Sequence, residues 1–183
     1  MDDWVTPTPH QLKALTHPVR VRMLGLLRID GPATATTLAR RLDLNTGATS
    51  YHLRQLATHG FVEDDPSLGT WRERWWRASA GATRTREDAA DPETTDAYLQ
   101  SVVTVLAGHL QQAVEERPSL PAPWRETTTF NDWVLRLTPD HAARLRDRIQ
   151  ALIEETPEDD GEGAEHVVFQ TQAFPLPGRL GRA

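Results

Sequence analysis

Residues 44–62 have the sequence LNTGATSYHLRQLATHGFV, which predicts a helix with two different faces. One face is largely apolar, because helical spacing brings together Thr49, Leu53, Leu56 and Ala57. The other face carries short hydroxyls, an aromatic ring and a guanidinium, from Thr46, Ser50, Tyr51 and Arg54. No acidic residue lies between Asp43 and Glu63, so nothing on this helix would repel a phosphate backbone. Small hydrogen-bond donors around one arginine are typical of a helix that enters the major groove of DNA.

The residues on the N-terminal side predict a second helix that packs against the first. Gly31 and Pro32 interrupt the chain, and the hydroxyl of Thr34 can cap a helix that continues to about Leu42. The three residues that follow leave room only for a tight corner. Two helices joined in this way form a helix-turn-helix motif, in which residues 46–59 are the recognition helix.

The residues on the C-terminal side predict a β-hairpin, the wing of a winged helix. Gly60 ends the recognition helix, and residues 61–77 contain two extended runs separated by the turn-rich segment 64–69. Side chains alternate along a strand, so Arg72 and Arg74 share one face of the second run. We expect these two arginines to contact DNA phosphates, with a simply solvated face as the alternative.

Three segments resemble the ArsR-type winged-helix repressors in order and spacing. They are LTHPVRVRMLGLL at residues 15–27, TLA at residues 37–39 and SYHLRQL at residues 50–56. The resemblance covers about residues 10–78 and implies a winged helix-turn-helix transcriptional regulator. The rest of the chain is similar to the extra C-terminal region of longer, actinobacterial-type members, and this similarity assigns no chemistry to it. Arg20 and Arg22 match family positions, which implies a structural role for Arg20.

The residues expected to meet DNA have more than one interpretation. Tyr51 and Arg54 either contact base edges or touch phosphates, and the predicted helix position favours a base contact by at least one of them. His52 lies beside them in the sequence, and its side chain either contacts DNA or turns toward the core or the helix-turn-helix corner. The predicted DNA-binding residues are therefore Thr46, Ser50, Tyr51, His52, Arg54, Arg72 and Arg74.

Composition limits the class of protein. The chain has 183 residues and no cysteine, which excludes disulfides and thiolate metal sites. Its net charge is −6, but residues 1–80 hold ten basic and eight acidic side chains, while residues 81–183 hold ten basic and eighteen acidic ones. A basic N-terminal half suits contact with nucleic acid. The sequence has no apolar run of membrane-spanning length and no signal-peptide pattern, so we expect a cytoplasmic protein with no membrane partner.

The second half begins with a predicted linker and a long helix. We divide the chain into a DNA-binding domain at residues 1–79, a linker at 80–92 and a C-terminal region at 93–183. Residues 93–116 have the apolar spacing of an amphipathic helix. We predict that this helix joins two subunits of a homodimer, since a reader of a symmetric site needs a rigid twofold joint. The alternative is that its apolar stripe covers the monomer's own core. The predicted interface residues are Leu99, Val103, Leu106 and Leu110.

The last third predicts a strand, a helix and a second strand. Residues 132–137 and 166–174 have strand-like composition, and Thr138-Pro139-Asp140 is a typical helix start. The expected fold class is therefore α+β and mainly helical: a winged helix-turn-helix domain, a long dimerisation helix and a small strand-helix-strand unit. A two-stranded sheet alone is marginal, so this unit must pack on the long helix or on another subunit.

Metal and enzyme chemistry find little support in the sequence. The histidine of the long helix, His109, has no ligand three or four residues away, and the others are scattered, so no metal site and no cofactor are predicted. Glycine-rich phosphate loops and nucleophile motifs are missing, and the acidic run between Glu154 and Glu165 is typical of a solvated loop, so we predict no enzymatic activity.

The sequence therefore predicts a homodimeric transcriptional regulator, most simply a repressor, that binds a pseudo-palindromic operator in double-stranded DNA. One alternative is a protein-interaction module that has lost DNA binding, which would expose an apolar patch on the recognition helix. Another is a regulator gated by a small apolar effector held between the long helix and the C-terminal unit, with Trp124, Phe130 and Trp133 as lining. The operator, any effector and the sign of regulation are not given by the sequence.

Overall fold

The computed structural model describes residues 4–68, 73–83 and 91–179. Its helices are α1 (Pro9–Leu12), α2 (Pro18–Ile29), α3 (Ala35–Leu42), α4 (Thr46–Thr58), α5 (Pro92–Glu116), α6 (Ala122–Thr127) and α7 (Pro139–Glu154), with a short 3-10 turn at Lys13–Leu15 and another at Arg117–Ser119. Its strands are β1 (Trp4–Val5), β2 (Ala33–Thr34), β3 (Val62–Asp64), β4 (Trp75–Ala78) and β5 (Ala82–Thr83). The fold is mainly helical, with a small antiparallel sheet.

The helix-turn-helix motif, α3 and α4, forms where local sequence signals place it. The Thr34 hydroxyl accepts a hydrogen bond from the backbone of Thr37 and caps α3, and the Asn45 side chain caps α4 by accepting from the backbone of Ala48. Between them, Asp43 adopts the left-handed conformation, with φ of 53°, that reverses the chain at the end of α3. Such caps satisfy backbone N–H groups that the first turn of a helix leaves open, each worth about 1 kcal/mol.

The wing is a three-stranded antiparallel sheet in the order β2-β4-β3. Val62 lies opposite Ala78 in β4, and Thr34, at the start of the helix-turn-helix, lies opposite Trp75. The wing is thereby tied directly to the N-terminal end of α3. Gly60, with φ of 77°, makes the sharp turn from α4 into this sheet. The predicted start of the second wing strand lies outside the described residues.

The core of this part of the chain is formed by apolar side chains of α2, α3, α4 and the sheet. Its most buried members are Met23 of α2, Leu38 of α3, Leu53 and Leu56 of α4, and Phe61, which lies just before β3. Their burial fixes the rotation of α4 about its axis, since Leu53 and Leu56 lie on its inner side. The opposite side of α4 is therefore held toward solvent.

Helix α5 belongs to the same compact unit as the winged helix. The chain divides into two compact units, residues 1–118 and 119–183. One side of α5 is buried against α1 and α2, through Thr94, Ser101 and Val105. Part of the predicted linker also has structure, because β5 pairs in parallel with β1, near the N-terminus.

The C-terminal unit differs from the predicted strand-helix-strand arrangement. Helix α7 forms as expected, with Thr138 as its cap. Residues 132–137 and 166–174 have no strand pairing in the described chain, and most of their apolar side chains face solvent. A strand needs a pairing partner, and the described part of the chain offers these segments none. Trp133 is 77% exposed and Phe130 47% exposed, so the predicted aromatic lining of an effector site is not enclosed within this unit.

Candidate nucleic-acid interface

The outward face of α4 is the centre of the candidate interface. Thr46, Tyr51 and Arg54 are exposed, and Ser50 is partly exposed. Thr49 and Leu53 alternate with them on the buried side. All four outward residues were predicted from helical spacing, and they share one surface because the core fixes the rotation of α4. This surface offers hydroxyls and one guanidinium, with no carboxylate of α4 among them.

A cleft separates this face from the wing. Its volume is about 250 Å³, and Ser50 and Arg54 line one wall. The N-terminal end of α3 forms the floor, and β4 with the residues before it forms the other wall, giving a lining completed by Thr34, Ala35, Thr36, Glu73, Arg74 and Trp76. Two guanidiniums and several hydroxyls thus face one concave space. Such a lining suits a phosphate or the polar edge of a base.

Arg74 is held in place at the cleft by two neighbours. Its Nε lies 3.0 Å from a carboxylate oxygen of Asp64, and its guanidinium lies 4.1 Å above the centre of the Trp76 ring. A cation over an aromatic face is attracted by the ring's quadrupole, and planar stacking restricts the side chain further. These contacts hold the guanidinium of Arg74 at the cleft, while Glu73 contributes an opposing negative charge to the same wall.

The predicted partner of Arg74, Arg72, lies outside the described residues. Thr36, Glu73 and Trp76 were not predicted as site residues. A hydroxyl at the second position of α3 was visible in the sequence, but the approach of α3 to the wing depends on the pairing of β2 with β4, which spans about forty residues of chain. Trp76 was assigned to the wing without a role, and the structure makes it the platform for Arg74.

His52 does not share the outward face of α4. Its side chain is 9% exposed, and its ring centre lies 4.6 Å from that of His17 at the start of α2. The Tyr51 ring meets it edge to face at 5.4 Å. Of the two interpretations drawn from the sequence, the structure favours the turn toward the interior. Through Tyr51, this histidine contacts the exposed surface without belonging to it.

Burial and nearby charge favour the neutral form of this histidine pair. Burial lowers the pKa of His52, and the nearby His17 and Arg20 lower it further. Burial and the charge of Arg20 also lower the pKa of His17, against a smaller opposing backbone hydrogen bond. The Nδ1 of His52 and the Nε of Arg20 are both buried without a hydrogen-bond partner among the described residues. Protonating either imidazole would therefore add charge next to a cation.

The remaining histidines near the helix-turn-helix also form a pair. His10 stacks on His59, the C-terminal cap of α4, with ring centres 4.9 Å apart. Within the described parts of the chain, no three histidine, aspartate or glutamate side chains come close enough together to hold a metal ion. The prediction that the protein has no metal site stays a prediction.

Part of this geometry is similar to that of known proteins. Residues 15–65 match a family model described as a helix-turn-helix domain. This segment is a helix-turn-helix domain. A comparison with curated proteins gives no match. Among solved structures, apo ZitR from Lactococcus lactis, a mutant form, matches 75% of this chain and 80% of its own at 14% identity and a TM-score of 0.32, so no property of ZitR is transferred here.

The family-model match covers α2 to α4 and the first wing strand, which are the elements that position the outward face of α4. No described helix has the length and apolar character needed to span a membrane.

Proposed function

We propose that this protein is a homodimeric transcriptional regulator, acting as a repressor, that binds a pseudo-palindromic operator in double-stranded DNA. The observation that carries the proposal is the outward face of α4, where Ser50, Tyr51 and Arg54 reach solvent beside the cleft of the wing with no carboxylate of α4 among them. A docking helix for a protein partner would instead expose an apolar patch there. ArsR-like ancestry, drawn from the sequence resemblance, is part of this proposal.

In the proposed complex, α4 lies in the major groove. Arg54 and Tyr51 are long enough to reach base edges, while Thr46 and Ser50 supply shorter donors. Arg74 holds a backbone phosphate from the other side of the cleft, where its guanidinium lies above Trp76 and its side chain is more than half exposed. Arg72 is proposed as a second phosphate contact of the wing. His52 takes part only indirectly, by supporting the ring of Tyr51.

The proposed dimer joint is the second apolar side of α5. Leu99, Val103 and Leu110 are 48%, 59% and 47% exposed in the single chain, and Leu106 is partly exposed. Their spacing of four, three and four residues is that of a helix seam that packs against a second helix. Because the other side of α5 is already buried on α1 and α2, this seam does not serve the monomer's core. A second copy would cover it.

A twofold pair of this kind makes a specific geometric prediction. Its two recognition helices lie about 34 Å apart, one turn of DNA, or a multiple of that distance. Selection of bound DNA from a random pool, carried out with the full chain at two salt concentrations, tests the proposal. Enrichment of an inverted repeat is expected at both. Uniform binding that weakens steeply with salt would contradict it, since that is the behaviour of phosphate contacts alone.

A further inference from the structure

The segment between α6 and α7 exposes large apolar side chains. Trp133 is 77% exposed and Val134 76% exposed. No backbone group of residues 129–137 makes a hydrogen bond among the described residues, although Thr128 and Thr138 at the two ends are in the extended conformation. Backbone N–H and C=O groups that become buried need partners, so whatever covers these side chains must also satisfy the backbone.

The sequence of this segment has the alternation of a strand with one buried face. Residues 133, 135 and 137 are apolar, and Asp132, Val134 and Arg136 occupy the alternate positions. Alternation of this kind directs Trp133, Leu135 and Leu137 to one face of the strand. The charged side chains of Asp132 and Arg136 are directed to the other face. An extended run with open backbone groups is a template for pairing with another strand.

The charges identify which strand fits. Asp132 and Arg136 have no ion-pair partner among the described residues, and they lie two residues on either side of Val134. In an antiparallel pair centred on Val134, Asp132 lies opposite Arg136 of the partner subunit, and the same contact forms a second time by symmetry. The other unpaired apolar segment, residues 167–174, contains no charged side chain and cannot match this pattern.

We propose that residues 132–137 pair antiparallel with the same residues of a second copy, centred on Val134, to form a two-stranded sheet between subunits. Opposite charges and apolar residues directly across from each other both stabilise such a pair, here Asp132 with Arg136 and Trp133 with Leu135. This contact is additional to the proposed α5 joint and does not depend on DNA binding. Its test therefore fails or succeeds separately from the proposed function.

Disulfide trapping is a direct test, because the chain has no cysteine of its own. Val134→Cys places two thiols directly opposite each other, at a Cα separation of about 4.5–5.5 Å that a disulfide can bridge. Trp133→Cys and Leu135→Cys are matched controls, since each thiol then faces a different residue and its own copy lies diagonally about 7–8 Å away. The full-length Val134→Cys protein should form disulfide-linked dimers about tenfold faster than either control.

Equal rates at the three positions would overturn the proposal in favour of random collision. Preferential linkage of Val134→Cys to Val168→Cys in a mixture would overturn it in favour of pairing between the two different segments.

Charge reversal supplies a second measurement. Asp132→Arg or Arg136→Asp alone, each added to Val134→Cys, should slow linkage because like charges then face each other. Mixing the two variants should restore it, and failure of the mixture to recover would also contradict the pairing.

Discussion

The substitution Val103→Glu tests the α5 joint with little risk to the fold. Val103 is 59% exposed in the single chain, so a carboxylate there meets solvent and costs the monomer little. Burying the remaining surface of the seam is worth roughly 1 kcal/mol for each half-exposed leucine or valine, or about 6 kcal/mol over the six such side chains of a symmetric pair, before the cost of association. Two unpaired carboxylates in that contact cost several kcal/mol.

We therefore expect Val103→Glu to weaken dimerisation by at least about 4 kcal/mol, which raises the dimer dissociation constant roughly a thousandfold. Sedimentation equilibrium measures this directly, and circular dichroism checks that the winged helix remains folded. Thr104→Glu is the matched control, because Thr104 is also exposed but lies on a different side of α5. Operator affinity should fall with the loss of the dimer, since two linked half-sites become separate events. A Val103→Glu protein that stays dimeric and binds normally would refute the assignment of the joint to this seam.

Three further predictions concern the DNA face, pH and metals. Arg54→Ala and Tyr51→Ala should each weaken specific binding by about 1–3 kcal/mol in an anisotropy titration if the residue contacts a base. An equal loss of affinity for random DNA would show that the residue contacts a phosphate instead. Because the pKa values of His17 and His52 are lowered in the fold, the unfolded chain binds more protons once the pH drops toward the ordinary histidine pKa of about 6.5, so stability should fall from there as the pH decreases. His52→Gln should make the melting temperature depend less on pH between about pH 7.5 and pH 5.5, and an unchanged slope would show that the pair does not titrate this way. Operator affinity should be the same after chelation and after addition of zinc, nickel or copper salts, and a tenfold change, about 1.4 kcal/mol of coupling, would reveal a site.

The helix-turn-helix could be predicted because its determinants are local. The caps at Thr34 and Asn45 and the turn at Gly60 act within three residues of where they occur. Helical spacing then assigned Thr49, Leu53 and Leu56 to the inside, and with them the outward face of α4. Each of these signals acts without the rest of the chain, which is why the sequence alone was enough to predict the motif.

Features that depend on distant parts of the chain could not be predicted. The approach of His17 to His52 requires α2 to pack on α4, and the pairing of β1 with β5 joins two-residue strands too short to carry a pattern. The cleft likewise depends on β2 meeting β4, which places Thr36 near Arg74. Burial of His52 follows from the same packing and not from its place in the sequence.

The C-terminal region shows a different limit. Composition correctly predicted α7, whose cap and first turn are local. It also predicted strands at residues 132–137 and 166–174, but pattern alone does not supply a strand with a partner. Their side chains remain exposed in the single chain. The same alternation that predicted the first of these strands leads to the proposal that a second copy completes it.

Methylation interference on an operator recovered by selection shows whether α4 lies in the major groove, because it detects contact with guanine N7 there. For wild-type protein, we expect two interfering clusters of guanines related by a twofold axis, with centres about 10 base pairs or a multiple apart on one side of the duplex. Arg54→Ala should weaken both clusters equally. A single cluster, or binding that no guanine modification disturbs, would contradict the placement of α4 in two successive major grooves.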